Sequence, residues 1–330
     1  MATAQQIVAL IRSFTRGDRE RFTRVAEQLA DSAAGRGQEK IAEEIRSLLR
    51  EAEASSGPAS KSRDPIPMLR PRGELAGVMS VASPDVRLSD MVLDEHLLSR
   101  LRKIIKEQRE RAKLSARGLE PRRKFLLVGP PGTGKTMSTA AVAAELGLPL
   151  FTVLLDGLIT KYMGETAAKL RLVFDAMTER RAVYLFDEVD ALATSRAADN
   201  DVGEARRILN SFLQFLDEDR STSLIFAATN HPELLDRAIF RRFNAALHFT
   251  LPQPGLVRPL VESVLSQFDL HDIDWEAVSA GAANLSQAEI VRAADDTARD
   301  AVLDHDNVVD TELLLASLAD SHRVGRSLKG

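Results

Sequence analysis

The chain has 330 residues, 44% hydrophobic and only 5% aromatic, with 44 Lys and Arg against 48 Asp and Glu for a net charge of −4. That size suits about two domains of about 150 residues each, and the composition excludes collagen, a long disordered tail, a simple coiled coil and a nucleic-acid binder that works by net charge. The absence of cysteine excludes disulfides, thiolate catalysis and thiolate metal sites.

In residues 1–54, Ile7, Leu10, Ile11 and Phe14, then Phe22, Val25 and Leu29, then Ile41, Ile45, Leu48 and Leu49 stand at helical spacing. Three short amphipathic helices follow, broken at Gly17-Asp18 and Gly35-Arg36-Gly37. A core of about 50 residues is marginal alone, and we expect a substrate- or partner-selecting module here. The apolar run from Ile7 stops at Arg12, far short of the roughly 18 residues of a membrane-spanning helix. No basic n-region or small-residue cleavage site marks this start, so the expected location is cytoplasmic, with no membrane partner. Residues 55–73 hold four Pro, two Gly and four Ser, which sustain neither ladder nor helix and read as a flexible linker.

From His96 to Lys124 eleven bases stand against three acids, while Asp269 to Asp320 carries thirteen acids and only Arg292 and Arg299 as bases. The basic stretch reads as a solvated helix face, a subunit contact or a nucleic-acid contact, and opposed patches of this kind can meet across a subunit boundary.

Five apolar runs, 125–128, 150–155, 182–186, 224–228 and 246–251, alternate with helical periods. Near-continuous apolar strands joined by helices predict an α/β fold, a parallel five-stranded sheet with helices on both faces, over residues 74–254. Only helical patterns remain from 255 to 320, a helical lid subdomain, and 321–330 reads as a tail.

The first strand run leads into Gly129-Pro130-Pro131-Gly132-Thr133-Gly134-Lys135-Thr136, with Met137 next. This matches the G-x-x-x-x-G-K-[ST] phosphate loop in its required strand-to-helix setting. Glycines let backbone amides turn around an anion at a helix N-terminus, Lys135 reaches the β and γ phosphates, and the Thr136 hydroxyl takes Mg²⁺. A second strand run ends in Asp187-Glu188. Asp187 there stands beside the Mg²⁺, and Glu188 polarises a water for attack on the γ phosphate. A third ends in Thr229-Asn230, whose short amide can orient that water; Arg241 and Arg242 follow eleven residues later. Their guanidinium forks suit transition-state phosphoryl charge if the chain folds back or a neighbour supplies them.

On these residues the chain, over about 85–320, resembles an AAA-family ATPase and is similar to its one-ring remodelling members. Gly129 to Thr136 matches the family's Walker A, Asp187-Glu188 its Walker B, Asn230 its sensor 1, and Leu235 to Phe243 its second region of homology. The resemblance implies ATP and Mg²⁺ as ligands, a homo-oligomeric ring, a hexamer, and Arg241 and Arg242 as arginine fingers given to the neighbouring subunit's ATP. Lys161-Tyr162-Met163-Gly164 resembles the first pore loop and Thr194 to Glu204 the second, which implies a protein substrate gripped in the central pore. Two departures stand out. The family's Asp-Ile-Gly is here Asp90-Met91-Val92, and its Gly-x-Ser-Gly is Asn284-Leu285-Ser286-Gln287, where Gln287 reads either as a base or ribose contact or as a helix-start residue.

The leading function is thus Mg²⁺-dependent ATP hydrolysis in a ring that remodels, unfolds or threads a protein. A DNA-associated initiator or clamp-loader-like ATPase is the alternative, although no base-reading module accompanies the basic stretch and nucleic acid is not the expected main ligand. A GTPase or small-molecule kinase lacks support, since there is no Asn-Lys-x-Asp guanine motif. No protease signature is present. One ATPase module with a small helical leader also resembles bacterial ATPases that act beside a separate subtilisin-like protease, an expected partner class.

Overall fold

A computed structural model of the chain describes residues 71, 73–158, 163–192, 202–235 and 237–327. The helices expected in 1–54 and nearly all of the linker lie outside the described residues.

The apolar runs form β2 (Lys124–Val128), β3 (Leu150–Val153), β4 (Val183–Phe186), β5 (Leu224–Thr229) and β6 (Ala245–His248), all mutually parallel. The sheet nonetheless has six strands rather than five: β1 (Met79–Ala82) pairs antiparallel with β3, giving the order β1-β3-β4-β5-β2-β6. Four residues with only Met79 fully buried are too short and too half-exposed to show as an apolar run. β1 also covers the β3 edge, whose free amides and carbonyls would otherwise template pairing with another chain.

Both faces of the sheet are buried, and the period of two shows which side chain goes where. Leu126, Val128, Tyr184, Phe186, Ile225 and Ala227 face one core; Phe125, Leu127, Val183, Leu185, Leu224 and Phe226 face the other. Helix α1 (Glu95–Arg109) covers the second face, started by the Asp94 carboxylate, which accepts from the His96 and Leu97 amides. The short α2 (Arg111–Ser115) follows it. The alanine-rich α3 (Lys135–Leu146), a strong helix former ended by Gly147 in the left-handed region, lies on that face too. Beyond the short α4 (Leu155–Leu158), the first face is closed by α5 (Met163–Glu179) and α6 (Val202–Glu218). There Phe174, Phe186 and Phe212 meet at ring-centroid distances of 5.0–6.1 Å. The short α7 (Arg237–Phe240) precedes β6.

Among the described residues four helices follow: α8 (Pro254–Val264), α9 (Trp275–Gly281), α10 (Gln287–Asp304) and α11 (Thr311–Ser327). They share a separate core of Val257, Val261, Val278, Ile290, Leu314 and Leu318. Helix α11 runs well into the stretch read as a tail, where the His322 ring bonds to the Gly281 carbonyl at 3.0 Å. Among the described residues no helix is long and apolar enough to cross a membrane.

Strand order positions the site. The chain leaves β2, builds β3, β4 and β5 on one side and returns to place β6 on the other. Parallel α/β sheets bind ligands at the C-terminal strand ends where the order reverses, and here that is the mouth of β2, flanked by β5 and β6.

Candidate active site

The loop from β2 into α3 is built on glycines that admit nothing else. Gly132 and Gly134 have φ of +72° and +89°, conformations costly for L side chains. A Cβ on Gly129 would stand 2.1 Å from the Phe249 carbonyl oxygen, and one on Gly132 would stand 2.5 Å from Ser286 Oγ. The loop is therefore clamped between the strand below it and the start of α10. The Thr133 hydroxyl donates to the Pro130 carbonyl at 2.7 Å, the Ala288 amide donates to the Gly132 carbonyl at 3.0 Å, and Pro130 and Pro131 form the exposed turn.

Lys135 opens α3 yet is 7% exposed. Its ammonium donates to the carbonyls of Gly129 (2.7 Å) and Pro130 (2.8 Å) and to Asn230 Oδ1 (2.8 Å). Burial lowers its pKa from the ordinary lysine value, and the carboxylates of Asp187, Asp190 and Glu188 oppose that shift. Such a cation, largely removed from water, gains from any anion brought to it. Thr136 is exposed at the mouth, and its hydroxyl donates to Asp187 Oδ2 at 2.8 Å. Two hard oxygen donors already in contact fit a Mg²⁺ ion, which takes one or two protein oxygens together with phosphate. Met137 is exposed one residue further on.

Glu188 is exposed with φ of +54°, a left-handed conformation rare for a residue of this kind. Its amide donates to its neighbour Asp187 Oδ1 at 3.0 Å. Strained non-glycine residues of this kind cluster at functional sites, and here the strain turns the carboxylate out at the end of β4 instead of letting the strand continue.

Asp190 is a site residue that the sequence reasoning passed over. It is buried, and its Oδ1 accepts from the Thr229 hydroxyl (2.8 Å) and the Asn230 amide (3.3 Å). Asn230 is thus held at its amide by Asp190 while its side-chain oxygen takes the Lys135 ammonium, which ties the ends of β4 and β5 to the phosphate loop. The available signal was a third acid on the turn after β4, in Asp187-Glu188-Val189-Asp190.

The two arginines differ. Arg241 is exposed and enters no hydrogen bond or ion pair among the described residues, whereas Arg242 Nε donates to Asp217 Oδ2 on α6 at 2.7 Å. Lys161 and Tyr162 lie outside the described residues; Met163 and Gly164 begin α5. The departures also find places. Asp90 Oδ2 accepts from the Arg87 amide at 2.8 Å, Met91 packs near Ser138 and Gly134, and Val92 packs on the lid core. Asn284 has φ of +66° where the family has glycine, a conformation asparagine tolerates. Gln287 is the first residue of α10, behind the Ser286 cap, with its Nε2 3.5 Å from the Thr250 carbonyl and its Oε1 buried without a partner among the described residues.

Residues 125–251 match the family model "ATPase family associated with various cellular activities (AAA)". The "uncharacterized AAA family ATPase y4kL" of Sinorhizobium fredii is 36% identical over 258 residues, 78% of this chain and 77% of that protein. The "ATP-dependent zinc metalloprotease FtsH" of Helicobacter felis is 30% identical over 228 residues, 66% of this chain but 36% of that protein. Among solved structures, the crystal structure of the FIGL-1 AAA domain superposes with a TM-score of 0.58 at 26% identity, covering 79% of this chain and 92% of that one.

Replacing Asp190 by Ala strips the buried Thr229 hydroxyl and Asn230 amide of their acceptor and is expected to cost about 1–3 kcal/mol in urea unfolding. Asp190→Asn keeps an acceptor oxygen and is expected to cost less. Equal losses in the two variants would remove Asp190 from this holding role.

Proposed function

The chain belongs to the AAA family of ATPases, and we propose that it couples Mg²⁺-dependent ATP hydrolysis, in a closed hexameric ring, to the remodelling, unfolding or threading of a protein substrate. It is an ATP hydrolase by family. The observation that best supports the chemistry is the convergence of Lys135, Asn230, Thr136 and Asp187 at adjacent strand ends, with Glu188 next to Asp187.

In this reading the amides at the start of α3 and the Lys135 ammonium hold the β and γ phosphates. Thr136 and Asp187 hold the Mg²⁺, which when bound neutralises phosphate charge. Glu188 accepts a proton from water as the water oxygen attacks the γ phosphorus and the bond to the β-phosphate oxygen breaks, leaving ADP and inorganic phosphate. Asn230, fixed through Asp190, orients that water and passes contact with the γ phosphate to Lys135. Arg241, exposed and unpaired among the described residues, is the finger best placed to serve a neighbour's phosphate, and Arg242, paired with Asp217, props the same turn. A ring of identical subunits follows, since fingers given in trans need a partner. Tyr162 then offers an apolar, sequence-tolerant grip on a threaded polypeptide. That FtsH is named as an ATP-dependent protease supports a protein substrate for this chain.

Lys135→Ala is expected to lose ATP binding, because the phosphates lose their cation, while Glu188→Gln binds ATP and turns it over far more slowly. Near wild-type turnover in Glu188→Gln would show that Glu188 is not the base.

Arg241→Ala is expected to keep ATP binding and to lose turnover by up to about 10³–10⁵, with a smaller loss for Arg242→Ala. Mixing Arg241→Ala subunits, whose sites are intact, with Lys135→Ala subunits, whose arginines are intact, should restore ATPase activity. No recovery in rings shown by mass to be mixed would put the arginine in its own subunit.

Tyr162→Ala is expected to leave melting temperature, ring formation and basal hydrolysis near wild type while abolishing action on the substrate. A core role would instead cost about 3–5 kcal/mol. A destabilised variant, or a stable and fully active one, rejects the pore-loop reading.

A further inference from the structure

Beside the phosphate loop the fold leaves a cavity of about 280 Å³ that the proposed reaction does not use. None of Lys135, Thr136, Asp187, Glu188 and Asn230 lines it. Its walls come from the first turns of α1 (Leu97, Arg100), the phosphate loop (Thr133), the segment from β6 into α8 (Thr250, Leu256) and the first residue of α10 (Gln287). A molecule seated there touches the sheet subdomain and the lid at once. The volume lies near the lower end of the range for small-molecule sites, so the occupant is small.

Two polar groups on this wall lack a partner. Arg100 is half-buried and enters no hydrogen bond or ion pair among the described residues, whereas Arg102, Arg109 and Arg122 are paired with Glu95, Glu145 and Glu107. A guanidinium is always charged, and one partly withdrawn from water without a counter-ion gains from a carboxylate, whose two oxygens match its fork. Asp94, the one carboxylate of the lining, does not fill this role, because its Oδ1 accepts from the His96 and Leu97 amides at the start of α1.

The second group is Gln287. Its Oε1 is buried with no donor among the described residues, and its Nε2 stands 3.5 Å from the Thr250 carbonyl, at the outer limit of a hydrogen bond. A buried acceptor without a donor is rare and calls for one. The last torsion of a carboxamide is broad, so a modest turn brings that oxygen to the cavity its side chain lines. Leu97, Phe249 and Leu256 add an apolar wall.

We propose that this cavity binds a short aliphatic carboxylate that carries a hydroxyl or amino group beside the carboxylate. The anion pairs with Arg100, the O–H or N–H donates to Gln287 Oε1, and the aliphatic body lies on the leucines and Phe249. The site is separate from that of the nucleotide, and it requires neither a ring nor a protein substrate.

The test uses the full-length chain with saturating ADP and Mg²⁺ and follows binding by ligand-observed NMR titration. Three probes share one carbon skeleton: hydroxyisocaproate, free leucine, and isocaproate, which has no donor beside its carboxylate. Saturable binding is expected for hydroxyisocaproate, leucine or both, about tenfold or more tighter than for isocaproate; which of the two binds tells a hydroxy acid from an amino acid. Arg100→Gln is expected to weaken the tighter probe by about tenfold or more, and Gln287→Leu to erase its advantage over isocaproate. Thermal melting checks that each variant is folded. Should Gln287→Leu melt early, Gln287→Met, which also lacks the oxygen, takes its place. Absence of saturable binding by all three probes, binding indifferent to Arg100→Gln, or a preference over isocaproate that survives loss of the Gln287 oxygen overturns the proposal. So does binding seen only without ADP, which would put the carboxylate at the phosphate loop.

Discussion

A buried ammonium organises the active edge of this protein. Lys135 is drawn out of water at the start of a helix, where a positive charge is already disfavoured by the helix dipole, and its three acceptors come from two different strand ends. The nearby carboxylates of Asp187, Asp190 and Glu188 oppose the penalty without removing it. The same ammonium joins the phosphate loop to the end of β5. In the proposed function, phosphate oxygens that take the ammonium would compete with the carbonyls of Gly129 and Pro130 and with the Asn230 amide oxygen for it.

How much of this was legible in the sequence depends on whether the cause was local. Strands buried on both faces declare themselves as apolar runs, and the phosphate loop is a local motif whose glycines answer to close approach by Phe249 and Ser286. β1 was invisible because its stability comes from a neighbour, the open edge of β3, rather than from its own four residues. Asp190 was invisible for a similar reason. An aspartate after a strand is usually a turn former, and only the arrival of Thr229 and Asn230, about 40 residues later in the chain, gives it a buried role. The division between Arg241 and Arg242 likewise needs Asp217 from α6. Both charged stretches stand out in the sequence, but which bases pair with Glu107, Glu145 and Asp219 is decided by partners up to 96 residues away.

The replaced glycines of the lid entry show how a departure from a family pattern is absorbed. Asn284 keeps the left-handed backbone that glycine would supply, so the turn into α10 survives. Gln287 takes the first helical position with its side chain folded toward Thr250, and the Ser286–Glu289 capping box secures the helix start in both directions. The turn is thus retained by a different residue, while the buried Gln287 oxygen is a cost the glycine version would not carry.

That helix start is also where nucleotide chemistry can reach the rest of the lid. The Ala288 amide, in the first turn of α10, is bonded to the Gly132 carbonyl, and Gly132 has no free space beside Ser286. A close-packed contact of this kind cannot absorb a shift of the loop by deforming; it must pass the shift on. A rotation of about 5° imposed at the loop moves the end of a helix about 27 Å long by about 2 Å. The distal end of α10, which bears Leu303, therefore moves with its start.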